Sequence, residues 1–215
     1  MKQFRIVILD NNALSRHGLK ALITQSGSAV EQVSDFADVA GLQAHLEQHS
    51  ADILILSDLL ANGEDALRLV RSLDQRHPGL RQVVVSGRLN TDYIRCLFQF
   101  GACGFVYRSS KLEQTIPAAL QIVGQGETYL SPEAAALPYY QRPTPKALTE
   151  RDLEVLELLA AGQSPQDIAG LLGVSKRVIY STRTRLKHYL SVSNNEQIIS
   201  AALEMGLLPE KPTQP

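Results

Sequence analysis

The chain has 215 residues, a formal net charge of −1, 44% hydrophobic and 20% charged residues. That is the composition of an ordinary globular protein. A chain of this length suits one domain of about 130 residues followed by one of about 65 better than a single compact unit. The near-neutral total excludes a broadly cationic chain, though a local basic stripe would still suffice for phosphate contact. The two cysteines, Cys96 and Cys103, lack metal or redox spacing, so free thiols in a reducing compartment are expected. There is no apolar run of membrane-span length and no opening signal-peptide pattern, so a cytoplasmic protein without membrane contact is expected.

The first part alternates strand and helix patterns. Phe4 to Leu9 is an apolar run with β-branched residues and reads as a strand. Leu14, Gly18, Leu19, Leu22 and Ile23 recur at helical spacing. Ala29 to Val33 reads as a second strand, and Asp38 to Gln48 as a helix with Val39, Leu42 and Leu46 on one face. Ile53 to Leu56 has no polar alternation, as expected of a central parallel strand covered on both faces. Asp65 to Leu73 reads as a helix, Gln82 to Val85 as a buried strand, Thr91 to Phe100 as a helix and Gly101 to Gly104 as a turn. Phe105 to Tyr107 is the fifth strand. Ser110 to Val123 is the last helix of this part, opened by a capping box of Ser110 and Glu113 and interrupted by Pro117.

Five strands alternating with helices predict an α/β fold, a doubly wound five-stranded parallel sheet, over residues 1–128. Function gathers at the carboxyl ends of such strands. Here those ends hold Asp10, Asn11, Ser57, Asp58, Ser86 and Arg108. Residues 129–146 contain Pro132, Pro138, Pro143 and Pro145 and read as a semi-rigid linker.

Residues 147–215 read as a small all-α domain of four helices. Thr149 caps the first. Ser164-Pro165-Gln166-Asp167 starts a second that ends at Gly173. Ser175 starts a third, running to about Leu190, and Asn194 and Gln197 open a fourth. Two short helices around Leu172-Gly173-Val174-Ser175 form a helix-turn-helix, with Val174 and Ile179 expected to pack on Ile168 and Leu171. The third helix keeps a polar, basic face of Lys176, Arg177, Tyr180, Ser181, Thr184, Arg185 and Lys187. A helix carrying Arg, Ser, Thr and Tyr can enter a major groove, and a first turn without acids suits a DNA phosphate. Arg183 lies where the face turns inward.

The stretch ALTERDLEVLELLAAGQSPQDIAGLLGVSKRVIYSTRTRLKHYL resembles the LuxR-type helix-turn-helix domain over residues 147–205. Residues 2–130 resemble a receiver domain, and GQGETYLSPEAA resembles the segment that follows one. The combination resembles the NarL/FixJ response regulator family. It implies a homodimeric transcription factor that binds double-stranded DNA, answers a histidine kinase or other protein partner, and is not an enzyme. The fourth helix is then a dimer contact. Tyr180 and Thr182 stand where the family carries Lys and His, so Arg177, Arg185 or Lys187 would supply the phosphate contact.

The resemblance also implies a phosphoryl-accepting Asp at the end of the third strand, with Mg²⁺, a hydroxyl and a Lys around it. Asp10-Asn11 matches the acidic pair with one acid lost, Arg108 replaces the Lys, Ser86 matches the hydroxyl, and Phe105 matches the aromatic that reports the state. Counting from ADILIL puts Ser57 in the acceptor place; counting back from GEDALRLVRSL puts Asp58 there. Loops tolerate insertions better than buried strands, which favours Ser57. These departures predict a regulator without standard aspartyl phosphorylation, with no cofactor beyond weak Mg²⁺ binding at Asp10 and Asp58. Two alternatives stand beside it: a conventional two-component regulator phosphorylated at Asp58, and a protein-interaction module that does not bind DNA. His45 and His49 share a helical face without a third metal ligand and read as a solvated face.

Overall fold

A computed structural model describes residues 3–25, 30–137, 148–190, 192–205 and 207–208. Ala29, and with it the predicted start of the second strand, lies outside the described residues, as do Pro138, Tyr139, Tyr140, Pro143 and Pro145. The chain divides into two units, Met1–Tyr139 and Tyr140–Pro215.

In the first unit the order is β1 (Phe4–Leu9), α1 (Ala13–Gln25), β2 (Val30–Phe36), α2 (Val39–Gln48), β3 (Ile53–Ser57), a 3₁₀ turn (Ala61–Gly63), α3 (Ala66–Arg76), β4 (Arg81–Ser86), α4 (Thr91–Gln99), β5 (Ala102–Tyr107), α5 (Leu112–Gly124), β6 (Tyr129–Leu130) and α6 (Pro132–Ala135). The strands form one sheet in the order β2-β1-β3-β4-β5-β6, each pair parallel. All five residues of β3 are buried, as a central strand covered on both faces requires. Ile6, Ile8, Ile53, Ile55, Val83, Val85 and Val106 pack against Leu19 and Ile23 of α1 and Ile116, Leu120 and Val123 of α5. Leu14, by contrast, is 82% exposed, so α1 turns its first leucine outward rather than onto the sheet.

Side-chain caps start four helices. Asn12 accepts the Ser15 amide, Asp38 the Gly41 amide, Asp65 the Arg68 amide, and Asn90 the amides of Asp92 and Tyr93. The predicted capping box at Ser110 does not form. Helix α5 begins at Leu112 with no side-chain cap bond at Lys111, and the Ser110 hydroxyl turns instead to Glu133 Oε2. Pro117 lies inside α5, which runs through it.

Two corrections concern β5 and its neighbour. The turn expected over Gly101 to Gly104 is made at Gly101, whose φ of 105° favours glycine and where a Cβ would collide with Asp74. Ala102 therefore already belongs to β5. Residues 129–130 also form a sixth strand, pairing Gly104 with Tyr129 and Phe105 with Leu130, so the sheet is six-stranded and the segment assigned to the linker begins as part of this unit. Two residues are too few for a period-2 pattern, and Pro132, which reads as a breaker, opens the one-turn helix α6.

The second unit contains α7 (Glu150–Ala160), α8 (Pro165–Leu171), α9 (Lys176–Leu190) and α10 (Gln197–Glu204). Thr149 and Asp152 form a reciprocal capping box at α7. Ser164 accepts the Asp167 amide with Pro165 in the first turn of α8. Gly173, at φ 62°, makes the corner between α8 and α9. Leu153, Val155, Leu156, Ile168, Ile179, Leu186, Ile198 and Ala202 are buried together with Leu148, Leu207 and Leu208. Leu171, expected to face Val174 and Ile179, is 65% exposed, while Ile168 and Ala169 carry the inward face of α8.

Candidate nucleic-acid interface and receiver pocket

Asp10 follows β1, Ser57 ends β3 with Asp58 next, Ser86 ends β4, and Arg108 follows β5. The parallel sheet therefore delivers these five residues to one edge, and Asp10, Ser57, Asp58 and Ser86 are all buried there. Arg108 ties them together. Its Nη2 donates to Asp58 Oδ1 at 2.6 Å, to Ser57 Oγ at 3.0 Å and to the Val85 carbonyl at 3.3 Å. Its Nη1 lies 3.9 Å from Asp10 Oδ2. The Ser86 hydroxyl donates to Asp58 Oδ2 at 2.6 Å. Both oxygens of Asp58 are thus engaged, one by a guanidinium and one by a hydroxyl.

Asn11, the remaining predicted pocket residue, is exposed beside this cluster. Asp10 is satisfied by its own loop: the Asn12 amide donates to Oδ1 at 2.8 Å and the Ser15 hydroxyl to Oδ2 at 2.7 Å. Arg16 Nη1 donates to the Asp10 carbonyl at 2.8 Å, while its Nε holds Asp35. Sequence reasoning missed Asn12, Ser15 and Arg16. It also missed Arg88, whose Nε lies 3.7 Å from Asp58 Oδ2 and whose guanidinium sits 5.4 Å from the Tyr93 ring centroid. The signal for Arg88 was charge balance: two buried acids call for two cations, and only one had been assigned. Burial first, and the Asp58 charge second, push the Tyr93 phenol far up, with Arg88 opposing. Phe105 is fully buried in β5.

On α9, Lys176, Arg177, Tyr180, Ser181 and Thr184 are exposed along one face, as the helical period requires, and Lys187 is half-buried beside them. His188, not singled out from the sequence, is exposed four residues on from Thr184 and lengthens that face. The first turn carries no acid. Lys176 Nζ donates to Gln166 Oε1 of α8 at 2.6 Å, and the Thr184 hydroxyl donates to the Tyr180 carbonyl at 3.1 Å. Thr182 is buried.

Arg185 requires a correction. Its Nε donates to Asp152 Oδ1 at 2.9 Å and Oδ2 at 3.1 Å, and its Nη2 also bonds Oδ1. Asp152 is fully buried, so the Arg185 head is drawn back to α7, although its side chain stays 39% exposed. An arginine near the edge of a polar helical face reads the same from spacing whether it points to solvent or to a buried acid. Arg183 is half-buried with its Nε out of solvent, in line with its inward position.

The His45 and His49 rings stack at 4.6 Å, with Phe36 4.9 Å from His45. Cys96 is buried and Cys103 half-buried, both free. Among the described residues no helix is long and apolar enough to cross a membrane.

A parallel α/β unit with charged groups at one sheet edge, joined to a four-helix unit built on a glycine-cornered helix pair, defines a receiver-plus-helix-turn-helix protein. Residues 6–120 match the response regulator receiver domain model, and residues 146–202 match the model for bacterial regulatory proteins of the luxR family. The chain belongs to the NarL/FixJ family of response regulators. It is 27% identical to the oxygen regulatory protein NreC of Staphylococcus epidermidis, across 95% of this chain and 99% of that one. It is also 27% identical to the transcriptional regulatory protein MctR of Rhizobium johnstonii, across 96% of each. Among solved structures it is similar in fold to the two-component response regulator RcsB in complex with DNA, with a TM-score of 0.64, 21% identity, and 94% of this chain and 99% of that one covered.

Proposed function

We propose that this protein is a homodimeric, sequence-specific DNA-binding transcription regulator whose receiver works without standard aspartyl phosphorylation. The observation that carries the DNA reading is the face of α9, where Lys176, Arg177, Tyr180 and Ser181 stand exposed at a helix start that has no acid in its first turn. Such a face offers cations to phosphates, and hydroxyl and guanidinium groups to base edges. RcsB, of like fold, has been solved bound to DNA. The test is salt-dependent binding of the full chain to duplex DNA. Absence of any such binding would leave the protein-interaction reading. Homodimerisation through α10 has support in the exposed Leu203, 38% accessible, and is checked by sedimentation.

The receiver reading rests on Arg108. Mg²⁺ takes hard oxygen ligands in octahedral geometry and keeps several waters. Here the oxygens of Asp10 and Asp58 already accept hydrogen bonds, a guanidinium lies within 3.9 Å of both, and the Asn11 side chain is exposed. These residues do not fit a divalent cation well. Arg108 supplies the positive charge instead, and its planar head spans Asp58 and Ser57 together. The protein then performs no phosphoryl transfer and acts as a non-enzymatic, cytoplasmic regulator. A conventional regulator phosphorylated at Asp58 is favoured by one observation: the buried Asp58 carboxylate accepts the Ser86 hydroxyl and shares the Arg108 guanidinium with the buried Asp10. Beryllofluoride with Mg²⁺ separates the two. Unchanged receiver spectra fit the first reading, and saturable shifts fit the second.

A further inference from the structure

Tyr180 is the tyrosine of α9 that stays in water, 56% exposed, while Tyr189 on the same helix is buried. Around it the side chains divide by commitment. Lys176 lends its ammonium to Gln166, and Thr184 turns its hydroxyl back to the Tyr180 carbonyl. Arg185 is held by Asp152, and Thr182 is buried. Among the described residues this leaves Arg177, Tyr180 and Ser181 as the exposed residues of the first two turns whose side chains carry no hydrogen bond or ion pair. Arg177 and Ser181 can serve polar base edges. The Tyr180 ring cannot, and an aromatic face left in water forgoes the burial that stabilises such side chains elsewhere.

A major groove offers donors and acceptors on every base pair, and its apolar group is the 5-methyl of thymine. We infer that Tyr180 is a specificity-determining residue that selects a thymine by packing its ring on that methyl. The inference rests on the DNA-binding reading above and adds which base is read and by what. Its hydroxyl is not required for this contact.

The experiment begins with selection of bound duplexes from random sequence by the wild-type full chain. Each thymine of the selected site is then replaced in turn by deoxyuridine, which lacks only the methyl. Removing one methyl contact corresponds to about a four-fold loss of affinity. The wild type is expected to lose that factor at one position per half-site. Tyr180→Phe keeps the loss. Tyr180→Ala, which keeps the helix because alanine is the best helix former, binds the thymine and deoxyuridine duplexes equally at that position. An unchanged thymine–deoxyuridine difference in Tyr180→Ala overturns the inference, as does its disappearance in Tyr180→Phe. Should the wild type enrich no sequence and bind DNA without salt dependence, the underlying reading fails instead.

Discussion

Arg185 on α9 reaches back to the buried carboxylate of Asp152 on α7, and that same carboxylate accepts the amide and hydroxyl of Thr149. One acid thus closes the start of α7 and fixes the middle of α9. Asp152→Ala removes the partner of a half-exposed guanidinium and of a helix cap together. A loss of about 2–3 kcal/mol in folding stability is expected, less than for a fully buried pair because solvent screens Arg185. Urea denaturation of the full chain checks it.

Salt dependence should separate Arg185 from Arg177. Arg177→Ala is expected to weaken DNA binding and to flatten the slope of log affinity against log salt by about one unit, as for one lost phosphate contact. Arg185→Ala should lower stability yet leave that slope unchanged. Titration of one duplex across a salt series reads both.

The receiver pocket can be tested by restoring what it lacks. Lysine in place of Arg108 is a single point charge and cannot span Ser57 and Asp58, and aspartate in place of Asn11 restores a second acid. The double variant Arg108→Lys, Asn11→Asp is expected to show saturable, Mg²⁺-dependent shifts with beryllofluoride where the wild type shows none. Equal silence in both would remove Arg108 as the reason for the silence.

His45 supplies a pH prediction. Burial first, and the neighbouring His49 second, hold its imidazole below the ordinary value. The folded chain therefore binds this proton less readily than the unfolded chain, so its contribution to stability is complete above about pH 6.5 and declines as pH falls through the lower, folded value. His49→Gln removes the second cause. The His45 ring resonance, followed by NMR, should then titrate closer to pH 6.5. A midpoint that stays put would leave burial as the whole cause.

The elements most visible in the sequence were those whose residues serve one purpose. Ile53 to Leu56 announced a doubly covered strand, and Thr149 and Ser164 announced helix starts, because local chemistry alone determines them. Ser110 followed by Glu113 carried an equally clear local signal, yet its hydroxyl bonds Glu133, a partner supplied by tertiary folding. Tyr129 and Leu130 hid because a two-residue strand has no period. At the site, order along the sheet placed Asp10, Ser57, Asp58, Ser86 and Arg108 together, as topology alone could foretell. The direction of Arg185, the outward turn of Leu171 and the share taken by Arg88 depend on neighbours distant in sequence.

The short segment after β6 is stitched to the strand end that bears Arg108. The Ser131 hydroxyl accepts the Tyr107 amide at 3.0 Å, the Ser131 amide donates to the Phe105 carbonyl at 2.9 Å, and Glu133 receives Ser110. Arg108 lies between two of these stitches. The polypeptide leaving the first unit therefore departs from a fixed mooring rather than from a loose end. The strand end that presents Arg108 to Asp58 is thus the same stretch that holds Ser131 and Glu133.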